Sequence, residues 1–202
     1  MKIKHRSALK GVKSVDLILI SVARAFATYL CYMSLRKSET AFFESLFRVP
    51  FIEVAQAYNW EYECEFKLQR LSSAKKGALK KIDYGLGYNT QIVGIETKFV
   101  KKMHGLTVDL KKDINKLQKL FPKDPRVKPF SRRYAFIVVV APGDIFKSLK
   151  LKGIPEVNEI DEDRLKDFGK KKNIFTSWDS FVTSSRVGKK EYYVRTVKIP
   201  IA

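Results

Sequence analysis

Asp83, Glu96 and Lys98 are the side chains of this chain best placed for joint chemistry. Two carboxylates on neighbouring strands can share a hard divalent cation, and an amine beside them can hold a water or a phosphate oxygen. The stretch from Ile82 to Val100 reads as a β-hairpin turning at Gly87-Tyr88-Asn89-Thr90. Strand side chains alternate with a period of two. Ile92, Gly94, Glu96 and Lys98 then share one face of the second strand, and Val93, Ile95 and Phe99 share the other. On the first strand Ile82, Tyr84 and Leu86 oppose Lys81, Asp83 and Gly85. Glycine beside the acids leaves room for a metal or a backbone to approach. The plainer reading is a solvated sheet face, since Glu-x-Lys alone is common. The conjunction with Asp83, on a strongly apolar hairpin, favours a site.

The rest of the chain must position that hairpin. An apolar helix is expected over about 15–36. Asp16 and Arg24 interrupt it, which argues for a buried or partner-facing helix rather than a membrane span, and a signal-peptide cleavage site is not apparent. Ser38 or Thr40 opens a second helix carrying Phe42, Phe43, Leu46 and Phe47, and Pro50 restarts it towards Tyr58. Residues 61–68 alternate Tyr62, Cys64, Phe66 and Leu68 with charged residues, as a half-buried strand does. A basic turn over 72–77 precedes the hairpin strands, expected at about 79–86 and 91–100.

A helix over about 107–121 follows, with Thr107 as N-cap and Leu110, Ile114, Leu117 and Phe121 on one face. Lys111, Lys112, Lys116 and Lys119 lie off that stripe, free for phosphate or water. Pro122, Pro125 and Pro129 mark a basic loop with Arg126, Lys128, Arg132 and Arg133. The unbroken apolar run 134–140 is a central strand. A short helix from the acidic run 159–163 to about Gly169 and a last strand over 191–199 complete the pattern. The expected class is α/β, a mixed central sheet flanked by helices in a single domain. Its core spans about 39–141, with a basic and helical N-terminal segment (1–38) and a C-terminal elaboration (142–202).

Charge narrows the partner. Forty Lys and Arg stand against 21 Asp and Glu among 202 residues, a formal net charge of +19. Such an excess opposes compaction by self-repulsion and suits a polyanion, nucleic acid first and an anionic membrane second. The excess is uneven: residues 38–66 hold six Glu against Arg48, whereas 67–81 and 101–133 are basic. Lys75, Lys76, Lys80, Lys111, Lys112, Arg126, Lys128, Arg132 and Arg133 are the candidate phosphate contacts. Cys31 and Cys64 show no zinc or disulfide spacing, so the reducing cytoplasm is the expected compartment. His5 and His104 are too isolated for a histidine metal site. A third glycine and a following helix, which a dinucleotide loop needs after Gly85 and Gly87, are absent.

Asp83, a spacer, then Glu96-Thr97-Lys98 resembles the PD-(D/E)XK nuclease superfamily, the restriction-endonuclease-like fold. The resemblance spans roughly residues 39–141. It departs from the pattern at Ile82, where the superfamily often has Pro. It implies a restriction-endonuclease-like core and a metal-dependent nuclease acting on nucleic acid, DNA ahead of RNA. The expected partner is nucleic acid, with homodimerisation left open and no membrane. Asp83, Glu96 and the Thr97 carbonyl would ligate Mg²⁺, with Mn²⁺ as substitute. Lys98 would orient or activate the water. A Glu of the preceding helix would join them: Glu44 by its distance to the first strand, with Glu39 and Glu53 as alternatives. The competing expectation is a non-catalytic basic nucleic-acid-binding protein, including a decayed nuclease fold. In it the aromatic end of the chain (Trp178, Phe181, Tyr192, Tyr193) could stack on bases, though core packing is the commoner use.

Overall fold

A computed structural model describes residues 15–35, 44–68, 80–100, 106–143, 180–187, 190–199 and 201. Helix α1 (Val15–Leu35) contains neither Gly nor Pro and carries Asp16 in its first turn, where the helix dipole favours an acid. Its buried residues Ile18, Leu19, Val22, Ala23, Phe26 and Leu30 fall at helical spacing on one stripe. By length and composition it is long and apolar enough to cross a membrane, yet this stripe lies in the protein's own core. A 3-10 turn (Glu44–Phe47) runs into α2 (Arg48–Ala57). Pro50 is the third residue of α2, where an intrahelical N–H partner is not needed. The break in this helical region therefore lies at Phe47–Arg48, before the proline.

Six strands form one mixed sheet: β1 (Glu61–Lys67), β2 (Lys81–Tyr88), β3 (Gln91–Phe99), β4 (Arg132–Pro142), β5 (Ser180–Val187) and β6 (Lys190–Ile199). Their order is β1-β2-β3-β4-β6-β5. β3 and β4 are parallel, and the other neighbours are antiparallel. The parallel pair needs a crossover. It is supplied by α3 (Leu106–Asn115), a π turn (Lys116–Leu120) and a 3-10 turn (Phe121–Lys123). Pro122 has no N–H to return to a preceding turn, so the α-helical ladder cannot continue through it. The stripe of Leu110, Leu117 and Phe121 is buried all the same, with Ile114 partly so.

Two apolar clusters lie on the two faces of the sheet. One, under α1 and α2, includes Phe26, Phe47, Phe51, Tyr84, Leu86, Val93, Ile95 and Val138. Rings stack across it: Phe51 on Tyr84 with centroids 4.1 Å apart, Phe26 on Phe47 at 4.4 Å and Phe99 on Tyr192 at 5.9 Å. The other, under α3, includes Phe66, Ile82, Ile92, Leu110, Leu117, Phe121, Ile137 and Val197.

Several sequence expectations are corrected. Strand β2 runs to Tyr88, so the turn is only Asn89-Thr90, with Asn89 at φ 50°. Asn tolerates that left-handed conformation, and Tyr88 is held in the strand by stacking on Trp60 at 5.4 Å. The alternation of β1 and β2 does not hold throughout. Tyr62, Cys64, Tyr84 and Leu86 face the α1/α2 cluster, but Phe66 and Ile82 face the α3 cluster. The switch falls at Glu65, whose φ of 53° turns the chain over, and at Asp83 beside it. Thr107 lies inside α3 rather than capping it. Arg132 and Arg133, expected in a loop, are the first residues of β4 and pair with Gln91 and Ile92.

Strand β5 was not evident in the sequence. With β6 it builds one end of the sheet, and α1 packs against both and against α2. Of the segments expected outside the 39–141 core, the described parts α1, β5 and β6 join the same sheet and its apolar cover. The basic turn at 72–77 and the acidic helix expected at 159–169 lie outside the described residues.

Candidate functional site

The site is an opening in the sheet. The β2–β3 ladder runs from Tyr88↔Gln91 to Tyr84↔Ile95 and stops. Beyond that point β2 continues beside β1 through Ile82 and Lys81, while β3 continues beside β4 from Glu96 to Phe99. The two strands fork, with Asp83 and Glu96 at the opening. A fork leaves backbone N–H groups without a ladder partner. Asp83 satisfies one: the Thr97 N–H and the Thr97 hydroxyl both donate to Asp83 Oδ2, each at 2.7 Å. Asp83 Oδ1 accepts no hydrogen bond among the described residues. Just inside the fork, Gly85 and Gly94 are paired. A Cβ on Gly94 would lie 2.9 Å from the Phe121 ring and 3.0 Å from Ile82 Cδ1. The space at this glycine is taken up by the Phe121 ring and Ile82 packed against it.

Glu96 is 3% exposed, on the face covered by α3 rather than on a wet surface. The Lys116 ammonium lies against its Oε1 as an ion pair. Lys116 also meets Asp113 Oδ1 at 3.3 Å, and Lys98 meets Asp113 Oδ2 at 3.2 Å. Five charged groups from β2, β3 and the crossover helix thus form one cluster. Burial, and next the negative charge of Asp83, push the Glu96 carboxyl up to about 8, against the pull of Lys116. Burial alone would lower Lys116, but Glu96 and Asp113 more than offset it and hold the ammonium above the ordinary lysine value. The two tendencies compete over one contact. Desolvation dominates at Glu96, while Asp113 gives Lys116 a second anion whatever the state of Glu96.

Asp83, Glu96, Thr97 and Lys98 are therefore brought together. Asp113 and Lys116 complete the cluster and were missed. Lys116 stands off the apolar stripe and reads as free for phosphate or water; the structure turns it inward onto Glu96 and Asp113 instead. The available signal was its place one helical turn from Asp113, an i,i+3 pair. Glu44 begins the 3-10 turn whose Phe47 packs on Phe99, the residue after Lys98. Its side chain and all of Glu39 lie outside what the structure describes, and Glu53 is exposed on α2. Register also places Arg195 of β6 in one row with Val139 and Lys98. It is buried, and desolvation pulls its pKa down to about 10.

The basic candidates separate. Lys80, Lys112, Lys128 and Arg132 are exposed. Arg133 is half-buried and donates to the Pro122 carbonyl at 3.3 Å. Arg126 is engaged within the protein: Nη1 reaches both Glu63 oxygens at 3.3 Å, Nη2 the Lys67 carbonyl, and its guanidinium lies 4.0 Å from the Phe66 ring centroid. It ties the loop after α3 to β1 rather than facing a ligand. Lys75, Lys76 and the Lys111 side chain are outside the described residues, as is Trp178. Tyr192 packs on Phe99, in keeping with a core role.

Among the described residues, no group of three or more His, Cys, Asp or Glu side chains is placed to hold a metal ion. Mg²⁺ does not require three, because water and phosphate oxygens usually complete its shell. The donor set fits such an ion: two mutually repelling carboxylates, one with an oxygen that accepts no hydrogen bond among the described residues and one with a buried oxygen already against a cation. Compared with protein families, with curated proteins and with solved structures, the chain matches none.

Proposed function

We propose that the chain is a metal-dependent nuclease with a restriction-endonuclease-like core, cutting phosphodiester bonds of nucleic acid, with DNA the first substrate to test. One observation carries the reading: Asp83 and Glu96 flank a fork in the sheet, near enough for the Asp83 charge to act on Glu96, with Lys98 on the same strand as Glu96. Two coupled acids, one of them desolvated, are unfavourable as neighbours unless a cation lies between them. The mixed sheet with helices on both faces is the layout that the resemblance implies.

Asp83 through Oδ1, Glu96 and the Thr97 carbonyl would hold Mg²⁺ or Mn²⁺. The bound ion supplies a water of lowered pKa and a Lewis acid for a phosphoryl oxygen. Thr97 fixes Asp83 by two hydrogen bonds, so that carboxylate is oriented before any ligand arrives. Lys98, anchored by Asp113, presents an ammonium that can hold the attacking water or a non-bridging oxygen. Lys80, just before β2 at the open end of the fork, with the basic composition behind it, gives phosphate a route to the site, whereas Arg132 lies at the hairpin-turn end, opposite Gln91.

The ion pairs that Lys98 and Lys116 make with Glu96 and Asp113 favour a second reading, a nucleic-acid-binding protein whose charges only stabilise its core. Cleavage decides between them. Purified protein with Mg²⁺ or Mn²⁺ is incubated with duplex, single-stranded and branched DNA and RNA. Asp83→Asn, Glu96→Gln and Lys98→Ala each should lose cleavage by orders of magnitude while still binding. Wild-type protein that binds but never cuts, or Glu96→Gln cutting like wild type, establishes the second reading.

A further inference from the structure

Lys116 occupies the place where the proposed metal would bring its charge. Its ammonium is against Glu96 Oε1, and the same nitrogen keeps a second carboxylate, Asp113, at 3.3 Å. Lys116 is the first residue of the π turn, so its side chain leaves the crossover where the helix widens. Asp113, one helical turn earlier, spans Lys116 with Oδ1 and Lys98 with Oδ2. All of these groups are at least three-quarters buried, the most exposed side chain being Lys98 at 23%. Coulombic coupling among them is therefore only weakly screened.

We propose that Lys116 is the resident cation of this site: a divalent ion displaces its ammonium from Glu96, and Asp113 retains it. This rests on the nuclease reading and adds an ion-exchange step to it. Counted as fully ionised, Asp83, Glu96 and Asp113 against Lys98 and Lys116 sum to −1, which repels a phosphodiester. A divalent ion brings the cluster to +1, which attracts one. Metal entry thus switches the sign of the field that a phosphate meets. Retention on Asp113 keeps both amines next to the site rather than expelling one to solvent. Asp113 is then a positioning residue, acting on substrate only through Lys98 and Lys116.

Direct titration of Mg²⁺ and Mn²⁺ into the whole protein by calorimetry, at one fixed pH above 8, tests this without cleavage. Lys116→Met removes the competing cation and keeps the apolar stem, so its metal affinity should rise about tenfold, the effect of roughly 1.4 kcal/mol. Asp113→Asn leaves Lys116 with Glu96 as its sole anion, so displacement becomes harder and affinity should fall. In the double variant there is no Lys116 to retain, only the Lys98 contact of residue 113 is lost besides, and affinity should match Lys116→Met within about threefold. General disruption would weaken all three, and Asp113 acting as a metal ligand would leave the double variant well below Lys116→Met; either overturns the inference. If wild type binds no divalent ion that Glu96→Gln abolishes, the nuclease reading itself fails. If wild type binds metal but Lys116→Met binds it no tighter, this inference alone fails.

Discussion

The two faces of the sheet are built on different principles. Under α1 and α2 the cover is mainly apolar, with aromatic rings stacked from Trp60 and Tyr88 to Phe99 and Tyr192. Under α3 an equally dry interior admits Glu96, Lys116, Asp113 and Lys98. Burying apolar area stabilises in proportion to area. Burying charges costs desolvation that pairing only partly returns. One face therefore holds the fold, and the other carries a set of charges that a purely structural interior would do better without. The fork between β2 and β3 is where the second face opens.

The largest expected effect lies on the apolar face. Phe51→Ala should cost about 3–5 kcal/mol, as deletion of a buried ring does, measured by urea unfolding. A cost below about 1 kcal/mol would mean that α2 is not the anchor of that face.

The charged face should respond to pH instead. The folded Glu96 carboxyl titrates near 8, above its ordinary 4.5. Folding therefore favours the protonated acid. Its contribution is fully present below about pH 4.5 and is lost as pH rises to about 8, on the order of a few kcal/mol at roughly 1.4 per pK unit. Unfolding midpoints in chelator between pH 5 and 9 should fall for wild type and stay nearly level for Glu96→Gln. Equal slopes would place the titration elsewhere.

Between the two lies Gly94. Gly94→Ala puts a methyl group against Phe121 and Ile82 and should cost about 1–3 kcal/mol by overpacking. Full stability with an unshifted α3 would show that the glycine is not needed for close packing. The smallest effect on folding should come from the outer surface. Lys80→Gln with Lys128→Gln should change stability by less than about 0.5 kcal/mol. The same pair should flatten the salt dependence of DNA binding by up to about two phosphate contacts. An unchanged slope would move the interface to other basic residues.

Periodicity alone placed α1, β1, both hairpin strands, α3 and β4 to within a few residues, because each has an apolar face to bury. It also set Asp83, Glu96 and Lys98 near one another, since a hairpin turn fixes register. It could not show that β2 and β3 part company at Asp83, because ladder opening depends on β1 and β4 pulling the strands apart. Nor could it see the change of face at Glu65, a backbone conformation with no residue signature there. β5 carries too few apolar residues in alternation to stand out, and only β6 beside it makes it a strand. Lys116 and Arg126 show the limit most clearly. Both read as surface cations, and a basic side chain is alike in sequence whether it meets phosphate or carboxylate. Tertiary packing alone put Glu96 within reach of one and Glu63 within reach of the other.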